Sequence, residues 1–184
     1  MHTVGVIWVS GLPGSGRSSV ATWLAAKVDR SVYIDGDALA KRVTHGNAIS
    51  ELVVKGGNTR SVQDGEDVLV FDRLRYKNSC LLADSFAEAG FEVIVELVIA
   101  RHTLREEVLP RLRTRPLYLV QLVTSDEAAG PGQQTEILER LQRRRERFRS
   151  ETSPDGLWLD TSEHTAVRVA QQILANLGEA LVEA

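Results

Sequence analysis

Gly11-Leu-Pro-Gly-Ser-Gly-Arg-Ser-Ser19 is the stretch on which the reading of this 184-residue chain turns. Its glycines at 11 and 16, followed by a cation at 17 and a hydroxyl at 18, have the spacing of a Walker A phosphate-binding loop. A polyphosphate needs a concave row of backbone N–H donors, and glycine lets a backbone wrap that tightly at positive φ. A helix that starts beside the loop adds its unpaired amides and the positive end of its dipole. The flanks agree with that context. Val4 to Val9 is a short apolar run of buried-strand type. From Arg17 to Val28, the apolar Val20, Ala21, Leu24, Ala25 and Val28 share one helical face. Gly11, Leu12, Pro13, Gly14, Ser15, Gly16, Arg17, Ser18 and Ser19 are therefore the expected nucleotide contacts. One residue breaks the pattern. The lysine of the motif is Arg17, which keeps the charge but replaces a compact ammonium with a longer planar fork.

Working outward, strands and helices alternate. Expected strands cover 31–35, 92–99, 117–123 and 157–160, and expected helices cover 38–43, 66–89, 104–112 and 163–183. Apolar strands joined by helical crossovers imply a parallel α/β sheet covered on both faces. In such sheets ligands bind beyond the C-terminal strand ends, where right-handed crossovers gather the connecting loops. The Gly-rich loop, Asp35, Asp37, Glu96, Arg101 and Thr161 should therefore face one crevice. No linker interrupts residues 1–184, so a single domain is expected, with an acceptor-side loop at about 44–66 and a lid at about 125–150.

Composition narrows the class. The formal net charge is −3, which gives no reason to expect nucleic-acid binding. Cys80 is the sole cysteine, so neither a disulfide framework nor a cysteine metal site arises. No stretch approaches the roughly 20 apolar residues of a membrane span, and a cytoplasmic location is expected. A homodimer is left open.

Phosphoryl transfer requires a clamped nucleotide, a held Mg²⁺ and an oriented acceptor hydroxyl. Asp37 is the candidate base. Asp35, Glu96 and the Ser18 hydroxyl are candidates for Mg²⁺, with Glu96 as the carboxylate that interrupts an apolar strand. A turn with a helix cap would also account for Asp35-Gly-Asp37. In the charged segment, Arg140, Arg143, Arg144 and Arg147 recur at helical spacing. Arg144 is the candidate that swings onto the phosphates, against the plain alternative of a solvated face paired with glutamates. Asn58, Arg60, Glu96 and Arg101 are candidate acceptor contacts, and Thr161 a candidate neighbour of the base.

Val6-Ile-Trp-Val-Ser-Gly-Leu-Pro-Gly-Ser-Gly-Arg-Ser-Ser19 resembles the opening strand and loop of the adenylylsulfate kinase family of P-loop kinases. Tyr33-Ile-Asp-Gly-Asp37, Asp72-Arg73, Phe86-Ala-Glu-Ala-Gly90 and Leu159-Asp-Thr161 are similar to further elements of that family. The resemblance implies a three-layer P-loop fold with a five-stranded parallel sheet of order 2-3-1-4-5 and a helical lid. It implies ATP and Mg²⁺ as cofactors and a small-molecule hydroxyl as acceptor, with Arg105 and the displaced Arg42 as further candidate acceptor contacts. The chain departs from the family at Arg17, Ala40, Ile99-Ala100 and 128–132. Those positions leave a sugar acid, an antibiotic or a catalytically weak nucleotide-binding module as alternatives.

Overall fold

The computed structural model describes residues 5–11, 14–42, 66–124 and 154–183, with backbone alone at 40–41 and 66–72. Strand β1 (Val6–Gly11) is buried along its whole length and leads through the Gly-rich turn into helix α1 (Arg17–Lys27). Strand β2 (Ser31–Asp35) runs directly into the short helix α2 (Gly36–Lys41). The long α3 (Glu66–Glu88) precedes β3 (Glu92–Glu96), and Gly90 at φ 83° makes the turn between them. A single turn, α4 (Arg101–Thr103), continues as a π-helix over Leu104–Val108. Strands β4 (Leu117–Val123) and β5 (Leu157–Asp160) follow. Helix α5 (Ala166–Ala175) and a 3₁₀ turn (Leu177–Ala180) close the described chain.

The five strands lie in the order β2-β3-β1-β4-β5, and every neighbouring pair is parallel. Alternation along the strands splits the core in two. Val6, Trp8, Val93, Val95, Leu117 and Leu119 pack with Cys80 and Ala83 of α3 and Leu104 of the π-helix. Ile7, Val9, Ile94, Val120 and Leu122 face Val20 and Leu24 of α1 and Val169 and Ile173 of α5. Each such fully buried large side chain contributes on the order of 1.5–3 kcal/mol. Burial on both faces is why these strands read as continuous apolar runs. Among the described residues, no helix is long and apolar enough to cross a membrane.

Element boundaries moved where side chains took over backbone pairing. The third strand, expected to reach residue 99, leaves the sheet at Glu96. Beyond it, the Trp8 indole N–H binds the Leu97 carbonyl at 2.9 Å, and the Ser10 hydroxyl accepts the Ile99 N–H at 3.0 Å. The helix expected over 104–112 begins earlier and is π-wound, with Leu109 N–H bonded to the Leu104 carbonyl. Pro110, which has no N–H to continue the ladder, follows at once. The last helix starts at Ala166 rather than 163, because Thr165 is its cap and accepts the Arg168 N–H.

Candidate phosphate and metal site

The C-terminal end of β1 dictates the geometry of the loop. Gly11 has φ 147°, and a Cβ there would lie 2.5 Å from the Leu122 carbonyl oxygen and 2.6 Å from Ser15 Oγ. Gly14 and Gly16 also hold positive φ, so the turn is closed to L side chains at three positions. Gly16 caps α1 without any side-chain bond, so the first amides of that helix are not taken by a capping side chain. Ser15 Oγ and Arg17 Nη1 are buried without a hydrogen-bond partner among the described residues. Buried donors of this kind are costly to leave unmade, and phosphate oxygens are the acceptors that fit them. The Thr161 hydroxyl, at the end of β5, bonds the carbonyls of Ser15 and Val123, both at 3.1 Å. Thr161 thereby ties β5 to the loop.

Glu96 ends β3 on the α1 side of the sheet and is 4 % exposed. It accepts the Ser18 hydroxyl at 2.7 Å on one oxygen and the Tyr33 phenol on the other. Burial, and then the hydrogen bond to Glu96, push the Tyr33 phenol well above its ordinary range, so it stays a neutral donor. The hydroxyl of Ser18 beside a buried carboxylate is an all-oxygen donor pair, which suits Mg²⁺ completed by phosphates and water.

Asp35 stands opposite Glu96 in the β2–β3 register, while its Oδ1 accepts the Ala38 N–H at 2.9 Å and starts α2. Gly36 is required next: a Cβ there would come within 2.9 Å of the Leu97 side chain. Asp37 then projects toward two cations. Arg75 of α3 holds it at 2.8 Å, and Arg17 Nη2 lies 3.6 Å away. Arg17 itself is 9 % exposed, with its Nε 4.0 Å from Glu96. The structure thus brings Asp37 and Glu96 to Arg17, with Ser18 on Glu96 and Asp35 beside Glu96 in the sheet.

Other candidates are exposed or lie outside the described residues. Arg42 is exposed at the end of α2, and Arg101 is exposed on α4. Arg105 pairs with Asp155 at 3.9 Å, both well exposed. Leu12, Pro13, Asn58, Arg60 and Arg144, with most of the 44–66 loop and the 125–150 lid, are outside the described residues. Two participants were missed from sequence. Tyr33 carried a usable signal, since it alternates onto the same face of β2 as Asp35. Arg75 carried none, because only the packing of α3 brings it to Asp37.

No family model and no curated protein matches the sequence. Solved structures do match across nearly the whole chain. A sugar kinase from Janibacter sp. superposes with TM-score 0.59 at 16% identity, covering 96% of both chains. The tunicamycin resistance protein of Deinococcus radiodurans gives 0.62 at 16% identity, covering 98% of this chain and 99% of that one. The fold is that of the P-loop kinases. An APS (adenylylsulfate) kinase of Mycobacterium tuberculosis gives 0.55 at 19% identity, covering 94% and 96%. The adenylylsulfate kinase resemblance is therefore not singled out above other small-molecule kinases of this fold.

Proposed function

We propose that this chain is a kinase that moves the γ-phosphate of ATP to a hydroxyl of a small molecule, with Mg²⁺ as cofactor. The observation that carries this reading is the Ser18–Glu96 contact at 2.7 Å beside a buried Arg17 with an unpartnered nitrogen. A nucleotide loop, a pair of hard oxygen donors and a carboxylate on the next strand end are the parts phosphoryl transfer requires.

The amides from Gly14 to Ser18 and the start of α1 would bind the β- and γ-phosphates, and Arg17 would neutralise them. Ser18 and Glu96 would hold Mg²⁺, which supplies further charge neutralisation when bound. Asp37 would orient the acceptor hydroxyl and take its proton, with Arg75 fixing the carboxylate. Asp35 stays structural on one oxygen and faces the site from β2. Thr161 would hold the loop against the strand end that flanks the base. Arg144, Asn58 and Arg60 are proposed for the lid and acceptor side, with Arg42, Arg101 and Arg105 at its edge.

The test is a panel of hydroxyl acceptors (sugar acids, nucleosides, adenylylsulfate, aminoglycosides) scored by ADP release. One acceptor should raise turnover well above the acceptor-free rate, and Asp37→Asn should lower that turnover by about 10²-fold or more. Nucleotide binding with no acceptor-dependent ADP release across the panel would overturn the kinase reading in favour of a binding module.

A further inference from the structure

Two carboxylates share one guanidinium at the mouth of the phosphate loop. Arg17 lies 3.6 Å from Asp37 and 4.0 Å from Glu96. These are ion-pair distances, yet both are longer than the roughly 2.7–2.9 Å of a charge-assisted hydrogen bond. Arg17 Nη1 is buried and has no hydrogen-bond partner among the described residues. The guanidinium therefore supplies charge to this site without satisfying its own donors. A polyphosphate would offer what the carboxylates withhold, namely acceptor oxygens within bonding distance of an unsatisfied fork.

The two carboxylates would not be left in the same state. Asp37 keeps Arg75 at 2.8 Å whether or not Arg17 stays. Glu96, among the described residues, would keep only the hydroxyls of Ser18 and Tyr33. A buried carboxylate with hydroxyl partners alone is short of a cation. The planar fork matters here, because its separate nitrogens address both carboxylates at once, which a compact ammonium is not built to do.

We propose that Arg17 is a positioning residue that acts as the internal counter-ion of Glu96 before ligand binds. It brings Glu96 the charge that a divalent cation would otherwise bring, and it yields that place only when a polyphosphate draws the guanidinium onto its oxygens. Free Mg²⁺ is thereby kept out until nucleotide arrives, and Asp37 gives up Arg17, while keeping Arg75, only after the donor has bound. The release step rests on the nucleotide reading above; the counter-ion role does not.

Titration calorimetry with Mg²⁺ alone tests this on the full chain. Arg17→Met and Arg17→Gln should bind Mg²⁺ about tenfold or more tightly than wild type, because removing a buried cation leaves Glu96 unneutralised. The gain should vanish when Glu96→Gln is added to Arg17→Met. Metal-free ADP should bind wild type, and the Arg17 variants about tenfold or more weakly. The proposal is overturned if neither variant gains Mg²⁺ affinity, or if the gain survives Glu96→Gln. A Mg²⁺ gain with no ADP binding to wild type keeps the counter-ion and overturns the nucleotide reading with its release step. Wild type alone gives a second measurement that needs no variant to fold. In arginine-selective NMR the Arg17 Nε–H signal should move with metal-free ADP and stay in place with Mg²⁺; movement with Mg²⁺ alone overturns the proposal.

Discussion

Glu96 and Asp84 are both buried carboxylates, 4 % and 2 % exposed, but they are held in different ways at opposite ends of the sheet. Asp84, on α3, receives the backbone N–H groups of Arg113 and Thr114, the Thr114 hydroxyl and the Arg113 guanidinium. Those donors sit just ahead of β4, at its N-terminal end. Glu96 receives two hydroxyls and a guanidinium 4.0 Å away. Backbone amides cannot leave without unfolding the loop that carries them, whereas hydroxyls rotate and an arginine swings. Asp84 is a completed anchor for the turn into β4. Glu96 is held by partners that can be exchanged for a ligand, and that separates a site from a strut where burial and residue type do not.

The largest effect expected from this contrast is kinetic and belongs to Glu96. Glu96→Gln keeps an acceptor for the hydroxyls but removes the charge offered to Mg²⁺. Acceptor-dependent turnover should fall by about 10²–10³-fold, while thermal unfolding moves by no more than about 1 kcal/mol. A Glu96→Gln protein with full turnover would put Glu96 in the same structural class as Asp84.

Asp84→Asn should show the opposite signature. It leaves buried donors at Arg113 and Thr114 facing an amide, so denaturant unfolding should register a loss of about 2–4 kcal/mol. Turnover per folded molecule should be unchanged. The acid limb sharpens this. Burial alone would raise the Asp84 carboxyl, but the hydrogen bonds from Thr114 and Arg113 outweigh it and hold the group below its ordinary value. A depressed folded value means the stabilisation is present above the unfolded value of about 3.9 and is lost as pH falls through the folded one. The stability gap between wild type and Asp84→Asn should hold steady from pH 7 to about 4, then narrow below it. A gap independent of pH down to 2 would mean that the charge of Asp84 is not what holds the turn.

The same contrast explains which parts of the molecule could be read from sequence. The Gly-rich turn and the apolar strands are local pattern, the strand order was what the family resemblance implied, and the structure has all three. Glu96 was legible as a candidate because its neighbours along the strand are apolar in both directions, which a half-exposed strand face explains less well. Arg75 was not, because its meeting with Asp37 depends on how α3 docks, which no spacing within α3 encodes. Asp35-Gly-Asp37 could be read as site or as turn with a cap on Asp37, but the cap falls on Asp35, which gives one oxygen to Ala38 while the register keeps it opposite Glu96. The ends of β3 and of the helix after it shifted because Trp8, Ser10 and Pro110 act on them, from a neighbouring strand in two cases and through a missing N–H in the third.

The smallest effect comes from loosening one of the two hydroxyls on Glu96. Tyr33→Phe removes the phenol that orients one carboxylate oxygen, while the ring keeps its place in the layer between sheet and α1. Because burial, and then the bond to Glu96, hold the phenol neutral through the physiological range, the loss is of a hydrogen bond and not of a charge. Partners of this kind fix the direction in which a ligating carboxylate points, and removing one costs about tenfold in metal affinity. The Mg²⁺ concentration giving half-maximal turnover should therefore rise by about tenfold, with the rate at saturating Mg²⁺ nearly restored. Ser18 would still hold the other oxygen, which is why saturation rescues the variant. An unchanged Mg²⁺ requirement would show that Glu96 needs no orientation from β2, and that Tyr33 is there to pack.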